Sequence, residues 1–449
     1  MKGLPSITRR RFLQRIAATG AAAAVAGPAI VPASVLGLDG AVAPSNRVTV
    51  GMIGLGRQSL ARNLPVFVRW PDSQVVALCD VDRWRLDQTP ADVVRRCGDT
   101  PEARAIATCP RYTDFREVLA RPDVDAVMIS TPDHWHVYQA VTSARAGKDV
   151  CCEKPLSLSV SDGRRLADAI AEQNRVFRTD SEFRSIAEFH RACELVIHGK
   201  IGELRAMRMA VPSWNEVLPQ QPEMPVPEEL DYDLWLGPAP MKPYTEKRVH
   251  PRKSYGRPGW YANRDYCDGV LVNWGHHLAD VVQWANGTER SGPVEVEGKG
   301  ELPPADGLWN VLLDFQVEYR YANGVTLSYT TGHPYVRFEG SEGWINVQYG
   351  PDELTAEPAS ILTAELGPDA VRVPLKNEKR DFIDCVKTRS QTLEDAEVGH
   401  RATSLCQIGY IAVQVGEKLR WDPDAERFVD HDEADKLLRG APAREPWRV

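Results

Sequence analysis

The 449-residue sequence is poor in the features that mark nucleic-acid-binding, membrane-spanning or metal-dependent proteins. No block of lysine and arginine appears beyond the N-terminus, and the net charge is −8, which argues against nucleic acid as a partner. No internal apolar run has the length needed to cross a bilayer, so no membrane span is expected in the mature protein. Neither an H-E-x-x-H motif nor a zinc-type pairing of cysteines is present, and no metal is expected. Cysteine is sparse and odd in number, at nine; Cys151 and Cys152 adjoin in an apolar run and read as buried thiols, with no disulfides. Internal repeats are lacking as well. What remains is 43% apolar and 26% charged, the balance of a soluble protein with enough chain for two cores.

The N-terminus differs from the rest. Arg9 and Arg10 precede Phe12 and Leu13, and an alanine-rich apolar run follows to about residue 43. A basic stretch, then an apolar one, then small residues is the layout of an export signal. The arginine pair resembles the twin-arginine signal, which passes folded proteins to the twin-arginine export machinery. Residues 1–43 are therefore expected to be removed, at Ala33 or Ala43, and the protein to work in the periplasm or otherwise outside the cytoplasm.

From residue 47 apolar strands alternate with helical stretches. The strands are "RVTVGMIG", "QVVALCDVD", "DVDAVMIST" and "KDVCCEKP"; the helices include residues 136–147 and 160–174. Alternation of this kind predicts a doubly wound parallel sheet over 44–179. Beyond about 180 the pattern changes. A helix over 185–199 leads into the strand "ELRAMRMAVP", and a loop-rich stretch with many aromatics covers 212–272. Strand-like runs at 294–300, 308–322, 325–332 and 343–349 then predict a large, open, mostly antiparallel sheet in an α/β domain over 180–399. A helix over 400–419 opens a C-terminal segment, 400–449, expected to return to the body.

The stretch "GLGRQS" follows the first strand with Gly54 and Gly56, and Ser59 stands in the third small-residue position. Glycines there let the chain turn sharply and bring backbone N–H groups to a pyrophosphate, with Arg57 and Gln58 beside it. Asp80 ends the second strand, 24 residues after Gly56, where a carboxylate accepts from an adenosine ribose hydroxyl and repels a 2′-phosphate. NAD is favoured; Arg83 and Arg85 nearby leave NADP open.

Taken with this fingerprint, "CEKPLSLS" resembles the glucose-fructose oxidoreductase / inositol dehydrogenase / MocA family. The segments "STPDHWHVYQA" and "ELVIHGKIGELRAM" look like that family's T-P-x-x-x-H loop and G-x-I-G strand entry, "DLWLGPAP" and "DGVLVNWGHHLADVVQWANGTE" look like those of exported bacterial members, and the likeness spans roughly residues 47–420. The resemblance implies a Rossmann domain joined to an α/β domain whose sheet supports substrate and subunit contacts, hence a homo-oligomer. It also implies a tightly bound NAD(P), and a sugar, polyol or glycoside as substrate. Lys154 matches the family's active-site lysine, with Glu153 and Pro155 lining the nicotinamide pocket. Thr131, Pro132 and His136 match positions beside the cofactor, and His277 matches the catalytic histidine. Where relatives often carry an aspartate four residues before that histidine, this chain has Asn273, which cannot take a proton.

Alcohol oxidation needs a hydride acceptor, which the cofactor supplies, and a protein group that takes the hydroxyl proton. Lys154 and His277 are the candidates for that transfer, and Asn273 is a catalytic-site candidate that can orient the hydroxyl or the histidine. Trp260, Arg264 and Asp265, in an aromatic stretch suited to carbohydrate, together with Glu182 and Arg184, are candidate substrate contacts. Adjacent imidazoles on a helix diverge by about 100°, so His276 and His277 are not expected to share an ion, and His276 is read as structural. Two further outcomes stay open: an NAD-dependent glycoside hydrolase without net redox change, and a non-catalytic sugar-binding relative.

Overall fold

Strands of nearly unbroken burial build the first layer. The computed structural model describes residues 42–448 except 214–215, 305, 351–352, 369 and 371. Apart from Val42 and Ala43, the expected export signal lies outside the described residues. Up to Arg47 the described chain holds one 3₁₀ turn, Pro44–Asn46. From Val48 onward the chain packs as a unit.

Strands β1 (Val48–Ile53), β2 (Ser73–Cys79), β3 (Arg111–Tyr112), β4 (Ala126–Ile129), β5 (Asp149–Glu153) and β6 (Phe177–Asp180) form a parallel sheet in the order β3-β2-β1-β4-β5-β6. Helices flank it: Arg83–Cys97 starts where Asp82 accepts from Trp84 N, and Val160–Glu172 where Ser159 accepts from Asp162 N. Strand order reverses between β1 and β4. In a doubly wound sheet that reversal opens a crevice beyond the carboxyl ends of the strands, where dinucleotides bind.

The second sheet has nine strands: β7 (Leu204–Val211), β8 (Glu295–Gly300), β9 (Phe315–Arg320), β10 (Thr326–Thr331), β11 (Tyr335–Gly340), β12 (Trp344–Gln348), β13 (Glu353–Glu357), β14 (Leu419–Asp422) and β15 (Arg427–Phe428). Their order is β13-β12-β11-β7-β10-β9-β8-β14-β15. The sheet is antiparallel as expected except at one place, where β7 lies between β10 and β11 and runs parallel to β10. Alternate residues of β9 are buried and exposed, so one face is packed and one open. Helices Ala187–Ile197, Gly275–Ala285 and Ala396–Val415 cover the packed face. The last of these is capped by Asp395, ends at left-handed Gly416, and also packs on Val160–Glu172 of the first layer.

The later part of the loop-rich stretch, residues 229–255, is anchored on the first sheet. Asp231 N donates to Val81 O and Arg83 N to Glu229 O, each at 2.9 Å. Tyr255 packs on Trp84, with ring centroids 5.2 Å apart. The segment thereby walls the crevice above the end of β2. All nine cysteines are free thiols.

Candidate active site

The crevice at the strand reversal is a cleft of about 710 Å³. Its floor begins at Gly54, in a left-handed conformation (φ +88°) that holds its N–H on Cys79 O at 2.8 Å. A Cβ there would lie 2.6 Å from Ser130 O, so only glycine lets β1 and β4 approach this closely. Gly56, Arg57 and Gln58 line the same end. The following chain, Ser59–Asn63, winds as a π-helical turn.

Asp80 also lines this end. Its carboxylate accepts from Leu55 N at 2.7 Å and Asp82 N at 2.8 Å, bracing the glycine turn. Burial pushes the Asp80 carboxyl up, opposed by Arg85 and those two backbone donors. Asp82 lies beside it and is pushed to about 6 by burial and by Asp80. A second carboxylate here adds to the charge that a 2′-phosphate would meet. The left-handed glycine, the open backbone and the acid at the end of β2 fit the pyrophosphate and ribose of NAD.

Toward the other end, the loop after β4 carries Thr131, Pro132 and Asp133. His136 fastens it: one ring nitrogen lies 2.9 Å from Thr131 O, the other 2.7 Å from Pro155 O. Glu153, at the end of β5, accepts from Asn63 Nδ2 at 2.9 Å. Lys154 follows, and its Nζ donates to Asn273 Oδ1 at 2.9 Å and to Asn273 O at 3.1 Å. Asn273 belongs to the π-helical turn Val270–Trp274, which runs into helix Gly275–Ala285. Gly275 is needed at that junction, because a Cβ would lie 2.2 Å from the Tyr329 hydroxyl, which donates to Leu271 O.

His277 is buried against Phe183, stacked at 4.7 Å, with Nδ1 2.9 Å from Ser181 Oγ. Burial, then the nearby positive charge of Lys154, holds its pKa far below the ordinary imidazole value, so the ring is neutral. Among the described residues Nε2 has no protein hydrogen-bond partner, and His277 lines the cleft with Trp274 and Tyr349. His276 is different: its nitrogens meet Thr403 Oγ1 at 3.1 Å and Glu394 Oε1 at 2.9 Å, and burial pushes it down to about 3. Beneath it lies a buried ionic layer. Arg178 pairs with Glu394 at 2.9 Å, and Lys379 with Asp180 and Glu378 at 2.8 Å. Among the described residues no cluster of His, Cys, Asp or Glu is arranged for a metal ion.

The cleft brings together Gly54, Gly56, Arg57, Gln58, Asp80, Thr131, Pro132, His136, Glu153, Lys154, Glu182, Trp260, Asn273 and His277. Four expected contacts lie elsewhere. Arg184 is buried in a two-pronged pair with Asp280, 2.5 Å at its closest, and reaches Glu289 at 2.7 Å. Arg264 lies over Tyr410 at 4.1 Å and faces a smaller cavity with Asp268. Asp265 lies 3.7 Å from Arg248. Pro155 is set behind the cleft, its carbonyl held by His136. Arg184 and Asp280 are a structural ion pair.

Sequence reasoning passed over Asp133, Phe183, Trp274, Tyr349 and His250, all of which line the cleft. Asp133 directly follows the singled-out Thr131-Pro132 and could have been found. Tyr349, just after β12, has no local signal.

Comparison with known proteins agrees with this geometry. Residues 48–181 match the oxidoreductase family's NAD-binding Rossmann fold, and residues 213–449 match its C-terminal alpha/beta domain. The chain belongs to the Gfo/Idh/MocA oxidoreductase family, and is an enzyme of that class. It is 36% identical over 97 residues to a 1,5-anhydro-D-fructose reductase of Ensifer adhaerens, covering 22% of this chain and 29% of that protein. It is 31% identical over 173 residues to glycosyl hydrolase family 109 protein 1 of Shewanella sp. (strain ANA-3), covering 37% and 35%. The matched stretches take in only 29–44% of the length of the first curated relatives. The aldose-aldose oxidoreductase of Caulobacter crescentus, solved with glycerol, shares the fold: TM-score 0.61, 18% identity, 83% of this chain and 99% of that one.

Proposed function

We propose that the protein is an exported oxidoreductase that oxidises or reduces a secondary hydroxyl carbon of a sugar, polyol or glycoside with a tightly held NAD. The observation that carries this is one continuous cleft, with a dinucleotide cradle at Gly54 and Asp80 and a polar cluster of Lys154, Asn273 and His277 at the other end. NAD, when bound, supplies the hydride acceptor. With Nδ1–H donating to Ser181, His277 presents a lone pair on Nε2 and can take the hydroxyl proton; Lys154 holds the oxygen. Trp260, Trp274 and Tyr349 offer aromatic faces to the C–H surface of a sugar. The segment 229–255, laid over the end of β2, supports slow release of the nucleotide. Export rests on Arg9-Arg10 and the alanine-rich run, and a cofactor carried across the membrane has to be reset on the protein. The open face of the nine-stranded sheet is read as a subunit interface, and the domain limits near 179 and 399 belong to the same reading.

The relationship to a glycosyl hydrolase family 109 protein favours a second outcome. Transient oxidation at a ring carbon acidifies the neighbouring C–H, the glycosidic oxygen leaves, water adds, and the carbonyl is reduced again. The test is product analysis with glycosides and no added NAD. A keto-sugar supports the oxidoreductase, free sugar supports the hydrolase, and neither from a broad panel overturns both.

A further inference from the structure

Asn273 lies between a buried carboxylate, Asp133, and the Lys154 ammonium. Asn273 and Asp133 are 6% and 2% exposed. Asn273 Nδ2 donates to Asp133 Oδ2 at 2.8 Å, while Oδ1 accepts from Lys154 Nζ at 2.9 Å. With both ends engaged, the amide has one orientation. Flipped, it would set oxygen against carboxylate and N–H against the lysine donors. Asp133 opens the short turn Asp133–Trp135 without capping it, so that turn does not account for its carboxylate.

An aspartate at 273 would face the Asp133 carboxylate at hydrogen-bond distance, and two buried carboxylates so placed cannot both ionise. One of the two would have to hold a proton, whereas the amide leaves Asp133 free of that competition. We propose that Asp133 is a positioning residue, which supplies negative charge to Lys154 through the Asn273 amide. This rests on the reading of Lys154 as part of the catalytic machinery.

The test compares wild type with D133N, N273D and the double variant D133N/N273D, each saturated with NAD. Two readouts are taken: nicotinamide reduction by a panel of sugars and glycosides, and the thermal unfolding midpoint. Each single change should lower kcat at least tenfold with NAD affinity unaltered, and the double variant should return to within about threefold of wild type. Multiplication of the two losses in the double variant, or a wild-type rate in D133N, would overturn the proposal. If wild type reduces no nicotinamide with any substrate, the functional reading fails and the midpoints decide the placement of the charge. N273D should then melt below wild type and the double variant should recover; a double variant melting no higher than N273D overturns it.

Discussion

Lys154 Nζ and Asn273 Oδ1, 119 residues apart in the chain, lie 2.9 Å from each other in the cleft. The contact joins the end of β5 to the turn that starts helix Gly275–Ala285, and so ties the nucleotide-binding sheet to the helices beneath the second sheet. Because Lys154 meets the site from the nucleotide side and has no part in the glycine turn, its removal should separate chemistry from cofactor binding. Lys154→Ala should lower kcat by roughly 10² or more. NAD affinity, measured by calorimetry, should change little.

Gly54 makes the opposite separation. Gly54→Ala adds a Cβ 2.6 Å from Ser130 O at a positive φ, so the turn must move. Strain of about 1–3 kcal/mol falls on the pyrophosphate cradle. NAD should bind about tenfold or more weakly while the unfolding transition stays cooperative.

His277 should stay neutral across the physiological range. Its folded pKa is depressed by burial and by Lys154, whereas in the unfolded chain it titrates near its ordinary value. The unfolded state thus binds more protons below about pH 6.5, so this group's contribution to stability is full above that pH and shrinks as pH falls. Relative to His277→Gln, wild type should lose about 1.4 kcal/mol per pH unit between pH 6 and 5, read from denaturant unfolding. Nitrogen NMR of the imidazole should show no titration between pH 5 and 8. A midpoint near 6.5 would contradict the assignment.

Arg184 and Asp280 predict a stability effect without a specificity effect. Both are buried and joined by a two-pronged contact. Asp280→Ala leaves the buried Arg184 guanidinium with only the more exposed Glu289 as counter-charge and should cost about 3 kcal/mol. KM for any substrate should be unchanged in the folded fraction, since Arg184 lies away from the cleft.

The parts of the site that share a short stretch were legible in the sequence. Gly54, Gly56 and Asp80 follow from strand–turn–helix logic, and the parallel sheet follows from its apolar strands. Helix Arg83–Cys97 was missed because Pro90 interrupts a weakly apolar run. The insertion of β7 between β10 and β11 depends on long-range pairing that no local period encodes. Arg184, Arg264 and Asp265 were misplaced for a related reason: charge near a site reads the same in sequence whether it faces ligand or a buried partner. Asn273 could be seen as unusual, but its meaning needed Asp133, 140 residues earlier, to be brought against it.

The most direct test of the central claim is the nicotinamide absorbance of enzyme loaded with NAD during mixing with a panel of sugars and glycosides. Wild type should show reduction with at least one of them, reversed by the matching keto-sugar, and Lys154→Ala should reduce its nicotinamide roughly 10² or more times more slowly at equal NAD occupancy. Reduction at the wild-type rate in Lys154→Ala, or an enzyme that holds NAD yet stays oxidised with every hydroxyl substrate and cleaves no glycoside, would contradict the account.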